Sequence, residues 1–156
     1  MFVILRPADR TDIALMAELR AQTKGTESFW IDRIDQYLRG EHSPQHALAD
    51  RSAFVAVEER TVVGFVAGHR TRRFHCDGEL QWIDVDQGKR RCGIGYRLVA
   101  QIGAWFASGD MKRICVNVDP NNLAARKLYT KCGAQTLNEH WMIWEDSHRI
   151  SPALSE

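Results

Sequence analysis

The sequence has no run of apolar residues approaching the roughly 18 needed to cross a bilayer, and no excess of charge of either sign. With 21 Lys and Arg against 20 Asp and Glu, the formal charge is +1 over 156 residues. Such a balance provides no global field for gripping nucleic acid or an anionic membrane, so neither is expected as a partner. Any anion the protein binds must be met by local groups. The opening residues lack the basic n-region and the apolar length of a signal peptide. Four cysteines, Cys76, Cys92, Cys115 and Cys132, are scattered without a C-x-x-C pair, which suits neither a zinc site nor a disulfide framework. Reduced thiols in a cytoplasmic protein, with no metal, are the expectation. No repeat, low-complexity tract or linker divides the chain, so residues 1–150 read as one domain and 151–156 as a short tail.

What is present has the profile of a soluble globular protein, 44% hydrophobic and 26% charged. Residues 2–6 alternate as a strand that Pro7 ends. Asp9 is placed to cap a helix running to about Arg20, and a second helix spans 27–39 and stops at Gly40. Residues 41–51, with Pro44, read as a loop. The period then changes. Residues 53–58 and 62–70 are β-rich and separated by the polar Glu59-Arg60-Thr61, a hairpin pattern. Asp77-Gly78 reads as a turn into a third strand over 79–85. A helix over 94–108 carries Ile94, Leu98 and Ile102 at helical spacing. A strand at 113–118, a helix at 122–131 closed by Gly133, and strands at 135–137 and 140–145 complete the chain. The order β-α-α-β-β-β-α-β-α-β-β predicts a mixed sheet with helices on its faces, an α/β (α+β) fold.

The chemistry concentrates between the third strand and the helix that follows it. A helix start has unpaired backbone N–H groups and a partial positive charge, and Gly93 and Gly95 let an anion approach the main chain closely. Lys89, Arg90 and Arg91 add positive charge. The loop is not a phosphate-binding Walker motif, because no Gly-Lys-Ser/Thr follows. It is not a dinucleotide fingerprint either, since it follows a meander and lacks the third glycine.

Arg90-x-x-Gly93-x-Gly95 resembles the Q/R-x-x-G-x-G/A motif of the GNAT N-acetyltransferase superfamily. Leu80-Gln81-Trp82-Ile83-Asp84-Val85 looks like that family's fourth strand, and Asn122-Leu123-Ala124-Ala125-Arg126-Lys127-Leu128-Tyr129 resembles its N-x-x-A-x-x-L-Y helix. The element order extends the resemblance over nearly the whole chain. Arg91, Cys92 and the Gly133-Ala134 pair depart from the commonest family residues. The resemblance implies a mainly antiparallel sheet of six to seven strands with about four helices. It also implies acetyl-CoA as cosubstrate, with no metal. By analogy, the backbone of Ile83 and Val85 pairs with the pantetheine arm, and Arg90, Arg91, Cys92, Gly93, Ile94, Gly95 and Tyr96 hold the pyrophosphate. Asn122 and Tyr129 complete that cofactor site, although Asn122 is equally a helix cap by residue type.

The implied activity is transfer of an acetyl group to a primary amine by direct attack in a ternary complex. The acceptor is an amine-bearing small molecule or a protein amine. Tyr129 matches the family tyrosine that protonates the leaving thiolate, and Glu79 stands where histone-acetylating members carry a glutamate base. Asp84 is a second candidate base. The even offset of six puts Glu79 on the face of Val85 in a regular strand, a parity that a bulge breaks. Glu27, Phe29, Trp30 and Trp141 are candidates to line the acceptor site by the same analogy. The aromatic residues of the two ends also suit core or dimer contacts, which leaves a homodimer open. Arg70, Arg72 and Arg73 form a basic patch that reads as a solvated strand end or as an attractor for an acidic acceptor. The other reading carried forward is a non-catalytic acyl-CoA-binding sensor of the same fold.

Overall fold

The computed structural model describes residues 2–90 and 92–150; Arg91 and the tail 151–156 lie outside the described residues. Its centre is a long hairpin, β2 (Ala47–Glu58) and β3 (Thr61–Thr71), joined by Glu59 and Arg60 in left-handed conformation. A two-residue turn of this kind matches the right-handed twist of the strands it joins. β1 (Ile4–Pro7) flanks β2, and β4 (Gly78–Val85) flanks β3. Beyond them come β5 (Ile114–Asn117), β7 (Trp141–Trp144) and the edge strand β6 (Gln135–Asn138), giving the order β1-β2-β3-β4-β5-β7-β6. Every neighbouring pair is antiparallel except β4 and β5, which run parallel.

Helices cover both faces, so β3 is apolar on both sides rather than alternating. α1 (Ile13–Ala21) and α2 (Glu27–Leu38) place Met16, Ile34 and Tyr37 against Val55, Phe65 and Trp82. On the other face α3 (Ile94–Ser108) and α4 (Leu123–Lys131) pack Leu98, Ile102, Phe106 and Tyr129 against Val66, Leu80 and Ile114. The entry to α1 is tied by a capping box: Asp9 accepts from Thr11 N–H, and Asp12 accepts from Asp9 N–H at 2.8 Å. Asp12 also holds Arg6 of β1 through two bonds of 2.8 and 2.9 Å. Among the described residues no helix is long and apolar enough to cross a membrane, and the four cysteines are free.

Two stretches differ from the sequence expectation. Residues 47–51 belong to β2 rather than to a loop, because Ala47 and Arg51 pair with Thr71 and His69 of the long partner strand. Asp77-Gly78 is not the turn. The chain reverses earlier, at Arg73–His75, where Phe74 and His75 take left-handed φ values of 53° and 59°. The Asp77 carboxylate instead accepts the N–H groups of Lys112 and Arg113 at the entrance to β5. Gly78 opens β4 because a Cβ there would come within 2.7 Å of the Phe106 ring.

Candidate active site

β4 and β5 pair only at Gly78–Ile114, Glu79–Cys115 and Leu80–Val116. From Gln81 onward β4 has no partner on that edge among the described residues, while Val118 turns its N–H to the His140 carbonyl and follows β7 away. The strand is also bulged at this point: Ala67 pairs with Trp82 and Gly68 with Leu80, leaving Gln81 unmatched. A bulge bends the strand and re-aims its side chains. A cleft of about 440 Å³ opens in the gap, with Glu79, Ile83, Asn122, Tyr129 and Trp141 among its walls. Its size suits a small-molecule site.

The bulge breaks the regular-strand parity. Leu80, Ile83 and Val85 pack toward α3, whereas Trp82 packs toward α1 and α2. Glu79 lies with Trp82 on the second face, where it meets His69 and Arg73, and not on the face of Val85. Its Oε1 accepts from Arg73 Nε at 3.0 Å and from the Thr71 hydroxyl at 3.5 Å. No donor reaches Oε2 among the described residues. Arg73 is not a solvated strand end: its guanidinium also lies 4.5 Å from the Trp141 ring and donates to the Gln45 carbonyl at 2.9 Å.

Tyr129 is buried on α4, its ring edge-on to Trp144 at 5.7 Å, and it lines the cleft. Its hydroxyl has no hydrogen-bond partner among the described residues. Burial pushes its phenol well above the ordinary value, and the nearby Asp84 carboxylate adds to the shift. Asp84 itself is raised above the usual carboxylate range by burial, although Arg20 donates to it at 2.9 Å. The Arg20 guanidinium in turn sits 4.5 Å from the Trp30 ring. Asn122 caps α4, its side-chain oxygen accepting Ala125 N–H at 3.1 Å, which leaves its NH₂ group directed to other partners.

The start of α3 lies on the same side of the sheet as α4. Gly93 has φ +79°, a left-handed conformation that other residues adopt with strain. Among the described residues nothing stands within 4 Å of where a Cβ would be. The first backbone N–H groups after it have no intrahelical partner, the first helical bond being Arg97 N–H to the Gly93 carbonyl. Ile94 is buried and anchors the helix, Gly95 packs on Leu128, and Tyr96 is half-buried with Lys131 5.9 Å from its ring. Cys92 and Arg90 are exposed. Lys89 is engaged by Glu58 at 2.7 Å. Arg91 lies outside the described residues. These features suit a polyphosphate: an unblocked helix start, a glycine with open space before it, and an exposed arginine.

Of the expected acceptor residues, Trp141 lines the cleft. Trp30 is buried and donates to the Lys24 carbonyl, and Glu27 and Phe29 are exposed on the first turn of α2; none of these three lines the cleft. Arg20, His69 and Tyr37, not expected from the sequence, also border the site. For His69 the available signal was a titratable residue at an inward position of an otherwise apolar strand. Among the described residues no group of three His, Cys, Asp or Glu is arranged to hold a metal.

Solved structures share this architecture. A GNAT-family protein of Desulfovibrio desulfuricans superposes with a TM-score of 0.75 at 14% identity, covering 92% of this chain and 99% of the other. The PaiA N-acetyltransferase of Thermoplasma acidophilum, solved in complex with coenzyme A, gives 0.70 at 14% identity over 94% and 99%. A chain of the NatC complex bound to Gag peptide and CoA gives 0.68 at 18% identity over 93% and 99%. At these identities the likeness shows the fold. No curated protein matches the sequence. The family assignment comes from the sequence match over residues 17–134, most of the chain, by which the protein belongs to the Acetyltransferase (GNAT) family.

Proposed function

We propose that the protein transfers an acetyl group from acetyl-CoA to a primary amine by direct attack. The observation that supports this most is the convergence of three features on one cleft. These are the unpaired edge of β4 at Ile83, the hydroxyl of the buried Tyr129, and the Glu79 carboxylate, the hydroxyl and one carboxylate oxygen being without a partner among the described residues. The neighbours solved with coenzyme A support the choice of donor.

Acetyl-CoA supplies the thioester whose acyl carbon is attacked. The free backbone edge of Ile83 and Val85 offers a pantetheine arm the pairing that a further strand would receive. The Gly93–Tyr96 helix start and Arg90 serve the pyrophosphate, and the Asn122 NH₂ group serves the arm. A lysine-like amine is charged at neutral pH, and making it neutral costs about 4–5 kcal/mol. Glu79 takes that proton through its free oxygen. The backbone N–H near Val85 stabilises negative charge developing on the carbonyl oxygen. Tyr129, held protonated by its burial, gives its proton to the departing thiolate. Trp141 and Arg73 wall the acceptor end, so the acceptor is an amine presented by a small molecule or by a protein segment.

Release of free thiol from acetyl-CoA across a panel of small amines, lysine peptides and peptide N-termini tests the reading. Amine-dependent thiol release is the expected result. Tight binding of acetyl-CoA with no turnover on any amine class would replace it with the sensor reading.

A further inference from the structure

Glu79 is backed by a buried pair that none of these steps uses. His69 of β3 stands directly opposite Glu79 of β4 in the strand register, and both His69 and Tyr37 of α2 have no solvent exposure. The Tyr37 hydroxyl lies 2.8 Å from His69 Nδ1. His69 Nε2 lies 3.7 Å from Glu79 Oε1, buried and without a hydrogen-bond partner among the described residues. A buried polar atom left unsatisfied is rare in native interiors and is costly in a low-dielectric core. Here it is aimed at Glu79, a carboxylate that lines the cleft.

The groups facing this imidazole come from every packed element. Tyr37 comes from α2, with Arg51 of β2 lying 4.8 Å from its ring. Glu79 comes from β4, Thr71 from β3, and Arg73 from the turn, holding the same Oε1. Cys115 of β5 stands opposite Glu79 in the parallel register. Burial pushes the Tyr37 phenol well above its ordinary value, so it stays a neutral hydroxyl. When Nδ1 donates to the Tyr37 oxygen, Nε2 turns a lone pair toward Oε1. Two acceptors then face each other, one proton short of a hydrogen bond.

We propose that Glu79 and His69 act as one base, a Tyr37–His69–Glu79 relay that shares the proton taken from the acceptor ammonium. This rests on the acetyl-transfer reading. The N–H bond of the ammonium breaks and its electron pair stays on nitrogen. The proton reaches the carboxylate and is shared with Nε2, leaving an imidazolium–carboxylate pair. It leaves to solvent through the cleft when the pair resets. Carboxylates ordinarily titrate near about 4 and imidazoles near about 6.5, so an imidazole behind the carboxylate makes the proton easier to hold. His69 touches no substrate; it acts through Glu79 and is a positioning residue.

Two readouts on the full chain test the relay. In ¹⁵N NMR, the His69 ring signals are those lost in His69→Gln, and their course over a pH series is expected to change in Glu79→Gln. In acetyl transfer, His69→Gln is expected to lower kcat about tenfold or more and to displace the acid limb of the pH profile of kcat/KM. The KM for acetyl-CoA should stay unchanged. Tyr37→Phe keeps the ring that fills the core and should displace the same limb in the same direction by less. Turnover by the unmodified protein with titrations and profiles that ignore these substitutions overturns the relay alone. Absence of turnover by the unmodified protein on every amine overturns the relay together with the acetyl-transfer reading.

Discussion

Arg73 donates from Nε to Glu79 Oε1 at 3.0 Å, and the two side chains are only 16% and 5% exposed. A carboxylate this deep is tolerated because the guanidinium accompanies it. Removing one partner of a buried pair strands the other and costs about 3 kcal/mol. Arg73→Ala is therefore expected to lower stability by that order in urea denaturation. The double variant with Glu79→Gln should recover most of the loss, since no charge is then left unpaired. Equal stability of Arg73→Ala and the unmodified protein would mean that solvent already compensates Glu79.

Tyr129 is the group placed to protonate the leaving thiolate. Tyr129→Phe keeps the ring against Trp144 and removes only the hydroxyl. General acid catalysis contributes about a hundredfold or more, so kcat should fall by that order with little change in the KM for acetyl-CoA. The same substitution has a signature in stability. Tyr129 and Tyr37 are both raised by burial in the folded state. The unfolded chain thus loses phenol protons first as pH rises past about 10, and stability declines from there upward. Tyr129→Phe and Tyr37→Phe should each flatten this alkaline decline in denaturation measured between pH 9 and about 11. An unaltered kcat would remove Tyr129 from the chemistry, whatever the stability data show.

How far the sequence carried these conclusions depended on the kind of signal. α3 was legible to the residue, because Gly93 and Gly109 bracket an apolar period of 3.6. The Asn122–Tyr129 segment gave both its helix and its cap. Residues 47–51 were not legible as strand, since Ala-Leu-Ala-Asp-Arg has neither β-branching nor strict alternation; pairing with β3 overrides local preference there. The bulge at Gln81 is invisible for a related reason. Leu-Gln-Trp-Ile-Asp-Val fits a regular strand as well as a bulged one, and only the register with β3 distinguishes them. The Arg73–Glu79 and His69–Glu79 pairs need that same register, so the basic side of the site could not be found from spacing.

The junction of β1 and α1 makes an acid-side prediction. Asp12 lies below the usual carboxylate range, chiefly through its hydrogen bonds from Arg6 and also through Asp9 N–H. A depressed carboxyl contributes stability above its unfolded value near 3.9 and loses it as pH falls through the folded value. Asp12→Asn weakens the cap and is expected to cost about 1 kcal/mol at neutral pH. The difference from the unmodified protein should narrow as pH is lowered below 4 and close once Asp12 is protonated in the folded state. Denaturation midpoints measured across that range check the sign. A constant difference at all pH values would assign the loss to packing instead.

Gly93 separates cofactor binding from the chemical step. Its φ of +79° makes any side chain there strained, by about 1 kcal/mol for alanine. Among the described residues nothing lies within 4 Å of the position of its missing Cβ, so they leave room for a larger residue. A polyphosphate approaching the N–H groups of the α3 start would meet that side chain directly. Gly93→Val is expected to raise the KM for acetyl-CoA about tenfold or more while kcat falls much less, the pattern of lost uniform binding. Melting of the variant should drop only by the backbone strain, a few degrees. A KM that stays unchanged with the fold intact would move the anion site away from the Gly93–Tyr96 helix start. It would leave the β4 edge and the Asn122 side chain to carry the cosubstrate.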